Sequence, residues 1–398
     1  MHYVADESLA FLSVEDIMRN VSYGWLIRYM HANIASFFFF CVFIHMARNL
    51  YYTSYENPRS ITWNIGVLIF ILMIVAAFTG YVLPWGQMSF WAATVITNLF
   101  SAIPFCGELI TYWLWGGYSV NSATLTRFFT FHFIIPFIIL FLVILHIIFL
   151  HEVGSSNKLS IFLFFDKIFF HPYFTIKDIF VITIFFIIFL CFVGYFPNYL
   201  GHPDNYIPAN PLSTPAHIVP EWYFLIFYAI LRSIPSKIGG VLVLFLSLII
   251  LFVFHFFIDT VWIKQTWSLE KFLYLDEDDT EEDWTFFLTE FYFFIIDNSQ
   301  KILYWFFIIT CLFLAIIGGK PIEYPYLFLG RLLTFFYFLY FFILIYSNII
   351  FTSIKNTLNI NSYLSSPLLS NSLVTTILFP FVDFANPLTC VYSDDKQN

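Results

Sequence analysis

Along the chain, apolar runs of some twenty positions alternate with short polar joins marked by Gly and Pro, as in ENPRS, LPWGQ and SIPSKIGG. A helix needs about 20 apolar residues to cross a hydrocarbon core about 30 Å thick. Seven runs reach that length, at roughly 24–52, 61–83, 125–152, 175–196, 238–260, 300–318 and 329–351. The pattern therefore predicts an all-α, polytopic membrane protein. Two connecting segments, 84–124 and 197–237, are too long for plain turns, and connections of that length usually carry function. The expected division is a helical bundle over 1–196, a long loop with a short helix and the following span over 197–260, an acidic insertion over 261–299, two spans over 300–351, and a Ser- and Asn-rich tail over 352–398.

Composition agrees with a lipid setting: 60% of residues are hydrophobic, 23% aromatic and only 11% charged, with mean hydropathy +0.81. The net charge of -9 says little about the whole, because acids cluster in DEDDTEED at 276–283. A run of like charges is usually a solvated segment. No basic patch offers itself to a nucleic acid. The five cysteines, Cys41, Cys106, Cys191, Cys311 and Cys390, form no CxxC pair. That spacing argues against zinc, an iron–sulfur cluster or a covalently attached c-type haem.

Against this background the histidines need a reason. His31 and His45 lie 14 residues apart in the first span, and His132 and His146 lie 14 apart in the third. At about 3.6 residues per turn, 14 residues is close to four turns, so each pair shares one helix face with about 21 Å between its members. One span separates the two histidine helices, so they run parallel. His31 then lies level with His132, and His45 with His146. Two bis-imidazole sites result, one above the other, of the kind that holds a low-spin haem in a four-helix bundle. Arg28, Arg48 and Arg127 each lie within five residues of a histidine, where haem propionates would neutralise them. Gly66 and Gly80, again 14 apart, would let a flat macrocycle approach the backbone. The histidines alone also fit a di-haem membrane anchor of a quinone-linked dehydrogenase, or a transporter that relays protons.

Several stretches resemble cytochrome b of the ubiquinol–cytochrome c oxidoreductase, respiratory complex III. They are YGWLIRYMHAN, GYVLPWGQMSFWAATVITNLFSAIP, WGGYSVNSATLTRFFTFHFIIPF, LHEVGSSN, PYFTIKDIF, PDNYIPANPLSTPAHIVPEWYFL and AILRSIPSKIGGVL, spanning most of residues 23–242. The plastid form has a wider second histidine pair and a chain split after the fourth helix, so the respiratory form is favoured. The resemblance implies a low-potential b haem on His31 and His132 near the positive side. It implies a high-potential one on His45 and His146 near the negative side. It further implies quinol oxidation at PEWY, with Glu221 accepting a proton and Tyr228 offering its hydroxyl, and quinone reduction beside His151, Ser155 and Asp178. A carboxylate half-buried among aromatics can exchange protons near neutrality. The partners implied are a Rieske iron–sulfur protein, a c-type cytochrome subunit and other complex III subunits in a homodimeric assembly. The setting implied is the mitochondrial inner membrane. Cations lean the same way: Arg59, Lys158, Lys167, Lys264 and Lys271 fall on the second face, against Arg232, Lys237 and Lys320 on the first.

Two departures carry expectations. The family has a further transmembrane helix ahead of the point matching MHYVADESLAF, and a separate chain is expected to supply it. Ala92 stands where SFWGA is usual, and its methyl group should crowd inhibitors lying against that helix. Low sensitivity to methoxyacrylate-type quinol-site inhibitors is therefore expected in an inhibitor titration, and nanomolar inhibition would refute it.

Overall fold

A computed structural model describes residues 2–155, 168–257 and 280–357, the turns 280–298 and 348–357 as backbone helix only. Its architecture is all-helical among the described residues. The α-helices are α1 (Ala10–Arg19), α2 (Gly24–Tyr51), α3 (Ser60–Val82), α4 (Gln87–Thr97), α5 (Gly107–Trp115) and α6 (Ser122–Val153). They continue with α7 (Thr175–Tyr195), α8 (Leu225–Ser233), α9 (Lys237–Val253), α10 (Thr280–Gly318) and α11 (Tyr326–Thr357). Seven are long and apolar enough to cross a membrane: Gly24–Tyr51, Ser60–Val82, Ser122–Val153, Phe170–Tyr195, Lys237–Phe256, Ser299–Gly318 and Tyr326–Ser347. These match the seven apolar runs to within a few residues at most of their ends.

The differences at the ends have local causes. The helix α6 starts at Ser122 because Asn121 caps it: its side chain accepts from Ala123 N at 2.8 Å, while Thr124 Oγ1 accepts from Asn121 N. The helix α10 begins at Thr280, so the second half of the acidic stretch continues the span as one helix. The run 238–260 is helical through Val253 and closes in a 3-10 turn, Phe254–Phe257. Residues 258–279, the tail beyond 357, and Lys158, Lys167, Lys264 and Lys271 lie outside the described residues.

Two packing units organise the spans. The helices α3 and α6 lie along each other over much of their length, with α2 packed on α7 and α1. Asn33, buried in α2, donates from Nδ2 to the carbonyls of Tyr29 and Pro197 and so ties α2 to the end of α7. A second unit gathers α8, α9, α10 and α11 around an aromatic core with Phe254, Phe307, Tyr340 and Phe341. Phe39 of α2 stacks on Tyr223 with centroids 4.3 Å apart, which joins the two units at the last residue of PEWY.

Both long connections are built rather than loose. The segment 84–124 holds α4 and α5, and 197–237 holds α8. They are laced together: Gln87 N donates to Ile207 O, Ala209 N to Trp85 O, and Ser89 N and Oγ to Asn205 Oδ1. Gly86 is required at this crossing, because a Cβ there would run into the Asn205 backbone. The parity of the spans asks for both segments on one face, and the hydrogen bonds join them there.

Candidate haem and quinone sites

The four histidines come together in pairs. The His31 and His132 rings face each other edge-on with centroids 5.9 Å apart, and those of His45 and His146 are 6.3 Å apart. An imidazole nitrogen binds a transition metal at about 2 Å, so two trans ligands on one ion place their ring centres roughly 6 Å apart. Both pairs meet that requirement.

The α6 member of each pair is oriented by α3. His132 Nδ1 lies 2.8 Å from the Ala76 carbonyl, which can only accept, so Nδ1 carries the proton and Nε2 keeps its lone pair. Metal-ligating histidines are usually held this way by a carbonyl on the other ring nitrogen. His146 Nδ1 is buried without a hydrogen-bond partner, and the Thr62 backbone lies close to the ring. The glycines make room for the imidazole rings themselves. A Cβ on Gly80 would overlap the His132 ring outright, and one on Gly66 would come within 3.0 Å of His146 Cε1. Pro136 removes the helical N–H that His132 O would otherwise receive, which loosens α6 one turn from this ligand.

The donor set fits a macrocyclic cofactor. Among the described residues no group of three or more His, Cys, Asp and Glu could hold a metal. Each imidazole pair would supply two nitrogen ligands and leave the other positions to a cofactor that brings its own donors. A porphyrin meets that need.

The arginines divide. Arg28 is half-buried in α2 beside Tyr206 and Tyr29, and Arg48 lies over the Tyr52 ring at 5.9 Å. Neither forms an ion pair among the described residues, where the pairs are Arg19–Glu15 and His202–Asp204. Arg127 donates to the carbonyls of Trp113 and Leu114, closing the C-terminal turn of α5. That role within the protein was not legible from its distance to His132.

On the laced face, Glu221 stands at the entry of a 3-10 turn, Trp222–Phe224, leading into α8, and its side chain caps nothing. Its carboxyl faces the buried Tyr81 hydroxyl at the end of α3. Burial pushes Glu221 up to about 7, with the Tyr81 hydroxyl pulling the other way. Tyr228 turns its hydroxyl to the Ile218 carbonyl at 3.4 Å and its ring to Arg232, 5.3 Å away. Nothing in GYVLPWGQ marks Tyr81 as special; only the fold sets it against Glu221. Ala92 is buried in α4.

On the opposite face His151 lies in the last turn of α6, Ser155 just past its Gly154 cap, and Asp178 in the first turn of α7. All three are exposed. No hydrogen bond joins them among the described residues, so they share an end of the bundle without forming a cluster.

Comparison with known proteins decides the family. Residues 1–154 match the family Cytochrome b/b6/petB, and residues 208–268 and 295–338 match Cytochrome b(C-terminal)/b6/petD. The chain belongs to the cytochrome b family. It is 54% identical over 344 residues to cytochrome b of Acanthamoeba castellanii, covering 86% of this chain and 82% of that one. To cytochrome b of Rickettsia prowazekii (strain Madrid E) it is 51% identical over 343 residues, 86% of this chain and 79% of the relative. A solved chain described as Hyperthermophilic respiratory Complex III superposes with TM-score 0.73 at 31% identity, covering 88% of this chain and 85% of that one. Membership in the cytochrome b family accounts for the seven spans and implies that the protein binds b-type haem.

Proposed function

We propose that this cytochrome b is the quinol-oxidising, quinone-reducing subunit of a respiratory complex III in the mitochondrial inner membrane. Its partners on this reading are a Rieske iron–sulfur protein, a c-type cytochrome subunit and a second copy of the complex. The observation that carries the reading is the pair of imidazole pairs at 5.9 and 6.3 Å. His31 and His132 would hold one b haem, and His45 and His146 the other. Bound there, haem supplies reversible one-electron transfer at two depths of the bilayer. Arg28 and Arg48, without ion-pair partners among the described residues, are suited to propionates; Gly66 and Gly80 make room for the ligand rings.

The residues do the proton work. Glu221, with its pKa near the working pH, accepts a proton from a quinol held beside PEWY, and Tyr81 keeps its carboxyl from drifting further upward. Tyr228 positions the quinol from the other side of the turn. On the negative face His151 and Asp178, with Ser155 between α6 and α7, deliver protons to reduced quinone. Oxidation on one face and reduction on the other then charge the membrane. A di-haem anchor of a dehydrogenase would need the histidines but neither the Glu221–Tyr81 pair nor the lacing of 84–124 to 197–237.

An optical redox titration of the purified complex tests this. Two b-type components of different midpoint are expected, and His31→Leu or His132→Leu should remove one while His45→Leu or His146→Leu removes the other. Both pigments surviving all four substitutions would overturn the reading.

A further inference from the structure

Positions 62, 66, 76 and 80 make a repeat of 14 in α3: backbone close to an α6 imidazole, then a glycine four residues on against the same ring, and at Ala76 the carbonyl meets Nδ1. One difference between the two halves bears on the carbonyl. Three residues after Ala76 stands Thr79; three after Thr62 stands Ile65. The Thr79 hydroxyl, 3% exposed, donates to the carbonyls of Val75 at 2.9 Å and Ala76 at 3.0 Å. Ala76 O is also the carbonyl that His132 Nδ1 meets at 2.8 Å. As an α-helical carbonyl it receives the N–H four residues on as well. Three donors thus converge on an oxygen with two lone pairs. At the Thr62 carbonyl Ile65 brings no such competitor.

A carbonyl that takes the Nδ1–H of a ligating imidazole raises the ring's basicity, and ligand basicity is one setting of a metal's potential. A hydroxyl competing for that carbonyl weakens the effect. We propose that Thr79 is a positioning residue that draws on the Ala76 carbonyl, makes His132 a weaker electron donor, and holds the potential of the haem on His31 and His132 higher than that ligand pair would otherwise set. The asymmetry in α3 lies three residues after each carbonyl, a threonine hydroxyl at position 79 against an isoleucine at position 65. The inference rests on His132 being a haem ligand.

The test is an optical redox titration of the whole complex carrying Thr79→Val, which keeps the side-chain volume and removes the hydroxyl. One b component should move to a more negative midpoint with the other unmoved, and Thr79→Ser should return it to the wild-type value. Where Thr79→Val does not assemble, Thr79→Ala carries the same expectation. Unchanged midpoints, both components moving together, or a positive shift would overturn it. The ligand reading is separated by His132→Leu: if that variant keeps both pigments, the assignment of His132 fails, whereas loss of one pigment beside unmoved Thr79→Val midpoints refutes Thr79's role alone.

Discussion

On the proposed ligation, Gly80→Ala should cost the protein the haem assigned to His31 and His132 while leaving the other in place. The reason is steric and local. A methyl group at Gly80 would occupy the volume of the His132 ring, so either the ring leaves its place or α3 and α6 part. Parting is costly, since the two helices pack along most of their length and Leu125 and Phe128 of α6 are buried close to Val82 of α3. The ring gives way, its hydrogen bond to Ala76 O is lost, and its pairing with the His31 ring is broken. The same change at Gly66 brings the new carbon to 3.0 Å from His146 Cε1, a squeeze that a shift of a few tenths of an ångström relieves. The expected result is thus graded: about one haem per chain by pyridine haemochrome for Gly80→Ala, and two for Gly66→Ala with at most a shifted spectrum. Two haems retained in Gly80→Ala would show that the His132 ring is not where iron binds.

How much of this was legible beforehand depends on which physical term decides each feature. The spans were legible because hydropathy alone sets them: seven apolar runs returned as seven helices, with ends moved by caps such as Asn121 or by a 3-10 closure after Val253. The pairing of histidines was legible because helix periodicity and the parity of spans are arithmetic, and the rings meet as that arithmetic requires. Arg127 was not, since proximity to His132 in sequence says nothing of the α5 carbonyls that it satisfies. Gly66 and Gly80 were found by spacing, but the group they make room for, the imidazole itself, appears only once α3 and α6 are laid together. Tyr81 and Thr79 were invisible for the same reason. A tyrosine and a threonine on an apolar helix carry no pattern until their partners across the fold are known. His151, Ser155 and Asp178 rest on resemblance, and the structure leaves them as three exposed side chains at one end of the bundle.

Glu221→Gln is expected to slow quinol oxidation by roughly 10²- to 10⁴-fold, the usual contribution of a positioned general base. Gln keeps the size and the polarity but cannot take a proton, and since Glu221 is not a metal ligand the haem spectrum should not change. The pH dependence gives the sharper signature. Burial holds the carboxyl at about 7, and only the carboxylate form can accept a proton. Below that value the acceptor is already occupied; above it the acceptor is free. The wild-type rate should therefore climb as pH rises through about 7 and level off beyond, and Glu221→Gln should lose the climb along with the rate. Tyr81→Phe provides the control on cause. The Tyr81 hydroxyl lowers the Glu221 pKa against the larger effect of burial, so its removal leaves burial unopposed and the midpoint of the climb moves to higher pH. Steady-state reduction of cytochrome c by quinol, followed from pH 6 to 9 or so in the assembled complex, reads all three variants together. A Glu221→Gln complex with the wild-type rate and the wild-type profile would place the proton acceptor elsewhere on this face, and the Tyr81 control would then have no midpoint to move.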